Sequence, residues 1–267
     1  MFNLSIITIN YNNKAGLKKT VDSVANQKFK DFEYIVIDGG SSDESINIIK
    51  ENESSINYWV SEQDEGIYHA INKGINKSSG KYCMFLNSGD SLKDDNTLSL
   101  CMQNIINHSE TDIFYGDIIC ENEDQTTWIR THPQVLDLAF FQHNNLNHQA
   151  SLIRSGLFSE FGNYPQKYKL ASDHWLYIKC IIENKVFTYI NAPLVFYDIS
   201  GQSTKNRDIY DKEMEAIWEQ NVPQYATTLS NLVNDFRLIS GYKIVKAAIN
   251  INSKIQKIRK KVYDFRL

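Results

Sequence analysis

The sequence predicts an α/β protein: a mainly parallel sheet flanked by helices, followed by a C-terminal helical extension. Over about the first 120 residues, short apolar runs of strand type alternate with helical stretches, an order that requires crossovers between parallel strands. Two of these runs, Ile35-Val-Ile-Asp38 and Lys81-Tyr-Cys-Met-Phe-Leu-Asn-Ser-Gly-Asp90, end in a carboxylate. The carboxyl ends of strands are where open α/β sheets meet their ligands, so the two acids point to one shared crevice. With 267 residues, 42% of them hydrophobic, the chain can bury a full core unaided.

The first strand is expected at Leu4–Ile9, with no room ahead of it for the basic and apolar regions of a secretory leader. A helix through Leu17–Ala25 and a strand at Tyr34–Ile37 come next. The following helix, from about Asp43 to Glu51, is announced by the capping-box spacing of Ser41-Ser-Asp-Glu44. The glycines of Asp38-Gly-Gly permit a tight turn beside the acid. Strands at Asn57–Val60, Tyr82–Leu86 and Ile113–Ile119 then alternate with helices across Tyr68–Asn76 and Thr97–Asn107. Further on, Asp173 opens a helix whose apolar spacing runs through Trp175, Ile178 and Ile182. The expected division is a domain at 1–220 and an extension at 221–267.

The formal charge of −4 is unevenly spread. Residues 240–267 hold eight Lys and Arg and one acid, about +7, which leaves about −11 on residues 1–239. An acidic body without basic clusters gives no support to nucleic-acid binding. In the tail, Ile244, Ala248, Ile251, Ile255, Ile258, Val262 and Phe265 recur at spacings of four and three among the cations. That is a basic amphipathic helix, suited to docking on an anionic membrane surface. The same stripe suits a coiled-coil homodimer or a helix folded back on the body. No run approaches the roughly 20 apolar residues of a membrane span. Four cysteines without CxxC spacing argue against a zinc site or a disulfide framework and fit a reducing cytoplasm. The expected location is cytoplasmic, peripheral on the inner face of the membrane.

Four segments carry a resemblance. Ser5-Ile-Ile-Thr-Ile-Asn-Tyr-Asn12, Ile37-Asp-Gly-Gly-Ser-Ser-Asp43, Asp64-Glu-Gly-Ile-Tyr-His-Ala-Ile-Asn-Lys-Gly74 and Gly80-Lys-Tyr-Cys-Met-Phe-Leu-Asn-Ser-Gly-Asp90 resemble, in order and spacing, the successive motifs of glycosyltransferase family 2. Tyr115-Gly-Asp117, His148-Gln-Ala150, Ala171-Ser-Asp173 and Ser200-Gly-Gln-Ser203 extend it more loosely. The resemblance implies a GT-A, Rossmann-like fold and inverting transfer of a sugar from a nucleotide-sugar. A UDP-sugar is the expected donor. The acceptor is a saccharide or lipid-linked saccharide, in the setting of surface polysaccharide synthesis.

For that chemistry, Tyr11 offers a ring on which uracil can stack, or else an aromatic that closes the core under a loop. Asp38 is the expected acceptor for the uracil imide proton, or else a turn acid. Thr8 lies close by, as a donor contact or as core. Asp64 and Asn72 match a donor-binding wall, although Ile71 stands where the family often has Arg. At the strand end, the family's Asp-x-Asp is replaced by Asn87, Ser88 and Gly89, with Asp90 after them. Asn87 and Ser88 remain as donor contacts, and Asp90 as the ligand of Mn2+ or Mg2+, helped by Asn87, water and the substrate diphosphate. Asp173 matches the family's general base, where a helix N-terminus favours the ionised carboxylate; its alternatives are an N-cap, or His174 as the base. His148 is assigned to acceptor or diphosphate, or to a structural role. Ser200–Thr204 is expected as a mobile loop over the donor. Two rival readings are a non-catalytic nucleotide-sugar-binding protein and a scaffold that dimerises through its C-terminal helix.

Overall fold

The computed structural model describes residues 2–122, 124 and 126–241. The basic amphipathic segment at 244–265 lies outside the described residues. The first half alternates as the sequence predicts: β1 (Leu4–Asn10), α1 (Lys14–Ala25), β2 (Glu33–Asp38), α2 (Ser45–Glu51), β3 (Tyr58–Ser61), α3 (Ile67–Lys77) and β4 (Tyr82–Asn87). Then come β5 (Ser91–Leu92), α4 (Thr97–Asn107), β6 (Ile113–Glu121), β7 (Thr127–Arg130), α5 (Leu138–Phe141), β8 (Ser151–Arg154) and α6 (Gly156–Phe161). The described chain ends with α7 (Ser172–Ile182), β9 (Phe187–Asp198), α8 (Gln202–Lys205), α9 (Arg207–Asn221) and α10 (Gln224–Gly241).

One sheet runs in the order β3-β2-β1-β4-β8-β6-β9-β5, with β7 paired to β6. Strands β1 to β4 are mutually parallel. In the other half, β8 runs antiparallel to β4 and β6, while β6 and β9 are parallel. Every residue of β1 and β2 is buried, because helices cover both faces; this is why these strands read as mostly apolar runs, with buried polar residues such as Ser5 and Thr8 among them. One core packs α3, α6 and α7 around Ile7, Phe85 and Tyr177. The core on the opposite face packs α1, α2 and α4 around Ile6, Leu17 and Leu98. All four cysteines are buried and free.

From β1 the chain moves outward to β2 and β3, then returns through α3 to place β4 on the other side of β1. This reversal opens a crevice at the carboxyl ends of β1 and β4, where Ile9 pairs with Asn87. Helix α3 lies directly on the sheet: a Cβ on Gly74 would stand 2.4 Å from Ile7 Cγ2. Only glycine lets the helix backbone come so close.

The capping box expected at Ser41–Glu44 does not form. Helix α2 begins at Ser45, and Glu44 adopts φ 68° with no side-chain cap. Asp43 Oδ1 accepts from Ser45 N at 3.1 Å, and Glu44 pairs with Lys14 at 2.5 Å. The turn is held from α1 as well as from its own residues. At the other end of the chain, α9 and α10 meet at Asn221–Gln224, next to the expected boundary at 220/221. No helix among the described residues is long and apolar enough to cross a membrane.

Candidate active site

The candidate residues fall into two groups, one around Tyr11, Asp38 and Asp64 and one around Asp173 and His148. In the first, Tyr11 follows β1 and is 69% exposed, so it does not close the core. Its ring borders Gly39: a Cβ on Gly39 would lie 3.2 Å from Tyr11 Cδ2 and 3.0 Å from Asp64 Oδ2. Tyr11 and Asp64 thus close in on the Gly39 backbone from two sides, and the strip between aromatic ring and carboxylate is too narrow there for a side chain. Asp64 is fixed from behind by Lys73, whose Nζ lies 2.6 Å from Oδ1, and by His69 at 3.5 Å.

Asp38 stands beneath this strip and is fully buried. Its Oδ1 accepts from Asn10 Nδ2 (2.7 Å) and Ser41 Oγ (2.6 Å). Its Oδ2 accepts from Ser41 N (2.9 Å) and Ser61 Oγ (2.6 Å). Burial raises the carboxyl, but the hydrogen bonds from Ser41, Ser61 and Asn10 outweigh burial and hold it below its ordinary value. The expected contact with a base N–H is corrected here, because the side chain is fully buried and both oxygens are already engaged by Asn10 of β1, Ser41 of the turn and Ser61 of β3. Asp38→Ala is expected to destabilise the fold by about 1–3 kcal/mol, since it strands several donors at once. Urea denaturation measures this, and an unchanged midpoint would contradict it.

Two further donor assignments are corrected. Thr8 is fully buried with Oγ1 3.1 Å from Tyr34 Oη, so it is core. Asn72 pairs with the Tyr164 backbone: Oδ1 accepts from N at 3.0 Å and Nδ2 donates to O at 2.8 Å. With its amide engaged on both sides, Asn72 ties α3 to the 162–168 segment and presents nothing to the donor.

The strand-end turn contains Asn87, half-buried, with Oδ1 buried and unpartnered. Ser88 N donates to Ile9 O at 3.0 Å, and Asn13 Nδ2 donates to Ser88 O at 3.0 Å. Gly89 has φ 109°, and a Cβ there would lie 3.0 Å from Asp198 Oδ2. Asp90, the expected metal ligand, is 3% exposed and accepts from Asp198 N at 3.0 Å. Burial pushes its carboxyl up to about 7, against the Asp198 N–H and the Gln149 side chain. Asp90 is therefore a buried latch between the turn and the end of β9, which corrects its expected role as an open metal ligand. The carboxylate beside Gly89 belongs to Asp198, a residue that sequence reasoning missed. Ser200 N donates to Asp198 Oδ1 at 2.8 Å, and the expected mobile loop continues instead into the short helix α8.

In the second group, Asp173 lies in the first turn of α7 and is 8% exposed. The cap position is Ala171, with no side-chain cap bond, so Asp173 is not an N-cap. Tyr68 Oη donates to Asp173 Oδ1 at 3.0 Å, and Asn145 Nδ2 donates to Oδ2 at 3.1 Å. Burial raises the carboxyl above its ordinary value, opposed by His148, Tyr68 and Asn145. The expectation that the helix N-terminus dominates is thereby corrected. A base lifted toward neutrality is a stronger proton acceptor.

His148 lies between Asp173 and Asn87. Its Nδ1 is 3.7 Å from Asp173 Oδ2, its Nε2 is 3.5 Å from Asn87 Nδ2, and its ring meets Phe85 edge-on. Burial lowers its pKa against the pull of Asp173, which favours a neutral imidazole. His174 is fully buried beside Phe141, its pKa lowered to about 4 by burial; it is not placed to act as a base. Asn145 and Tyr68 carried no sequence signal as partners of Asp173. Asn145 also bonds Tyr210 Oη at 3.2 Å, linking α7 to α9.

A crevice at the strand reversal with a buried carboxylate beyond it is an arrangement that a GT-A glycosyltransferase can use. Residues 5–166 match the family described as Glycosyl transferase family 2, and the chain belongs to that family. It is 32% identical, over 80% of its length and 82% of the relative's, to a PGL/p-HBAD biosynthesis glycosyltransferase of Mycobacterium bovis. It is 29% identical to an uncharacterized glycosyltransferase of Mycobacterium tuberculosis, over 74% of this chain and 76% of that one. Its fold is similar to that of S. aureus TarS 1-349 in complex with UDP-GlcNAc, with a TM-score of 0.66 at 17% identity, covering 85% of this chain and 69% of that one. It spans 37% of a longer TarS chain, at a TM-score of 0.61, 20% identity and 74% coverage of this chain. A mannosyltransferase from Pyrobaculum calidifontis in complex with GDP-Man and Mn2+ gives a TM-score of 0.59 at 10% identity, covering 95% and 80% of the two chains.

Proposed function

We propose that the chain moves a hexose from a UDP-sugar, with inversion, to a hydroxyl of a saccharide or lipid-linked saccharide in surface glycoconjugate synthesis. The observation that carries the reading is Asp173, held by Tyr68 and Asn145 and connected through His148 to the strand end at Asn87. The acceptor oxygen bonds to the anomeric carbon as the bond from that carbon to the diphosphate oxygen breaks. The hydroxyl proton passes to Asp173, and UDP leaves with the electron pair.

Uracil is expected to stack on Tyr11, and its imide N–H is expected to meet Asp64 Oδ2, which like the Tyr11 ring borders Gly39. Among the described residues, no three His, Cys, Asp or Glu side chains are grouped to hold a metal ion. The residues at this strand end that would hold a hard cation, its remaining ligands coming from the donor diphosphate, are Asp198, whose Oδ2 lies beside Gly89, and Asn87, whose Oδ1 is unpartnered. Mn2+ or Mg2+ held there would neutralise the departing diphosphate. The reduced carboxylate set also suits a non-catalytic nucleotide-sugar-binding protein, and turnover separates the two readings.

The test is binding and transfer with a panel of UDP-hexoses. A UDP-hexose that the folded chain binds raises its melting temperature. Tyr11→Ala and Asp64→Asn are each expected to weaken UDP binding by about 1–3 kcal/mol. Undiminished affinity in both variants would remove the base from this strip. Binding without transfer to any saccharide acceptor would favour the non-catalytic reading.

A further inference from the structure

Helix α10 turns its polar side inward. Ser230 is buried, Asn234 Nδ2 donates to Ala139 O and to Gln142 Oε1 at 3.1 Å each, and Arg237 pairs with Asp137 at 2.6 Å. These residues recur at spacings of four and three and so share one face, seated on the α5 region. The outer face carries Tyr225, Leu229, Leu232, Phe236 and Ile239, at spacings of four, three, four and three. They are 72%, 60%, 60%, 63% and 52% exposed. A surface helix ordinarily buries such a stripe, and this one presents it outward over about 21 Å of helix.

A contiguous apolar patch of that kind marks a docking surface. Its occupant follows from the chain next to it. Residues 242–267 carry eight Lys and Arg against one Asp, immediately after the stripe. An apolar helical face continued by cations matches the two attractions of an anionic bilayer, insertion at the headgroup boundary and electrostatic pull. A second copy fits less well. The five side chains offer on the order of 600 Å² per copy, below the roughly 800 Å² per partner of a stable interface. Because α10 is not apolar enough to span a membrane, it must lie along the surface.

We propose that α10 is a membrane-docking element, with its Tyr225–Ile239 face set into the headgroup boundary of an anionic bilayer, to which the positive charge of the following sequence adds long-range attraction. The docking is local, because the acidic remainder of the chain, about −11 over residues 1–239, is repelled by the same surface.

Flotation of the full chain with vesicles tests this. Wild type is expected to bind phosphatidylglycerol-rich vesicles in a salt-sensitive manner and phosphatidylcholine vesicles weakly. The double variant Leu232→Gln, Phe236→Gln changes only exposed side chains, so it should keep wild-type circular dichroism and UDP affinity. It is expected to lose at least about tenfold in vesicle binding. Lys257→Gln with Lys260→Gln should weaken binding to the anionic vesicles and leave the residual binding to phosphatidylcholine unchanged. Wild-type vesicle binding by the Leu232, Phe236 variant would overturn the assignment, as would absence of binding by the wild type. A concentration-dependent dimer that this variant dissolves, without vesicle binding, would assign the face to a second copy instead. If the glutamine pair perturbs folding, Leu229→Ser provides the same comparison at one exposed position.

Discussion

Asp173→Asn is expected to retain UDP-sugar binding and to lose transfer by at least about 10²-fold. The substitution keeps the shape of the side chain and, like the protonated acid, leaves one acceptor oxygen for the two donors Tyr68 Oη and Asn145 Nδ2, while the site loses its proposed proton acceptor. Stability should move the other way. Burial holds the Asp173 carboxyl above its ordinary value of 3.8 in the folded protein, so the folded state holds that proton more tightly than the unfolded chain. The stability this provides is complete below the ordinary value and is lost as pH rises through the folded value. Asparagine has nothing to ionise and escapes the loss. The variant should therefore melt higher than wild type at about pH 7, and the two should converge toward about pH 3. Near-normal turnover in the variant would exclude Asp173 as the base.

Asp198→Ala is expected to remove most of the gain in UDP affinity that Mn2+ confers, by about 10–100-fold, whereas Asp90→Asn should keep the gain. The contrast rests on position. Asp198 Oδ2 stands beside the Gly89 backbone, while the Asp90 carboxyl is buried against Asp198 N and Gln149. An asparagine at 90 still accepts from the Asp198 N–H, so its effect should appear in unfolding, at about 1–2 kcal/mol. Isothermal titration with and without chelator separates the outcomes. Loss of the Mn2+ effect in Asp90→Asn alone would return the metal to Asp90, and equal UDP affinity with and without chelator in wild type would take the ion out of this site.

The strands were legible because burial on both faces makes β1, β2 and β4 read as mostly apolar runs, and Asp38 and Asp90 were legible as their ends. What those acids do was not, because their partners lie far along the chain. Asp90 meets Asp198 N, 108 residues on, and Asn72 meets Tyr164, 92 residues on. No local pattern distinguishes a polar side chain that faces ligand from one that faces such a partner. Thr8 failed in the same way against Tyr34. Asp173 was legible only through the resemblance, and Tyr68 and Asn145 became its partners only on folding. The spacing within α10 announces an amphipathic helix, yet periodicity cannot say which face turns outward.

The close seat of Gly74 on Ile7 has a mechanical consequence. Helix α3 starts just after Asp64 and carries Tyr68 in its first turn, so one strut supports both the wall proposed for the base and the clamp on the proton acceptor. Pressed backbone to side chain against the centre of the sheet, that strut has no slack in which to tilt. On the proposed assignment, the residue that meets the donor and the residue that orients Asp173 would share one support, so a shift of α3 would move both.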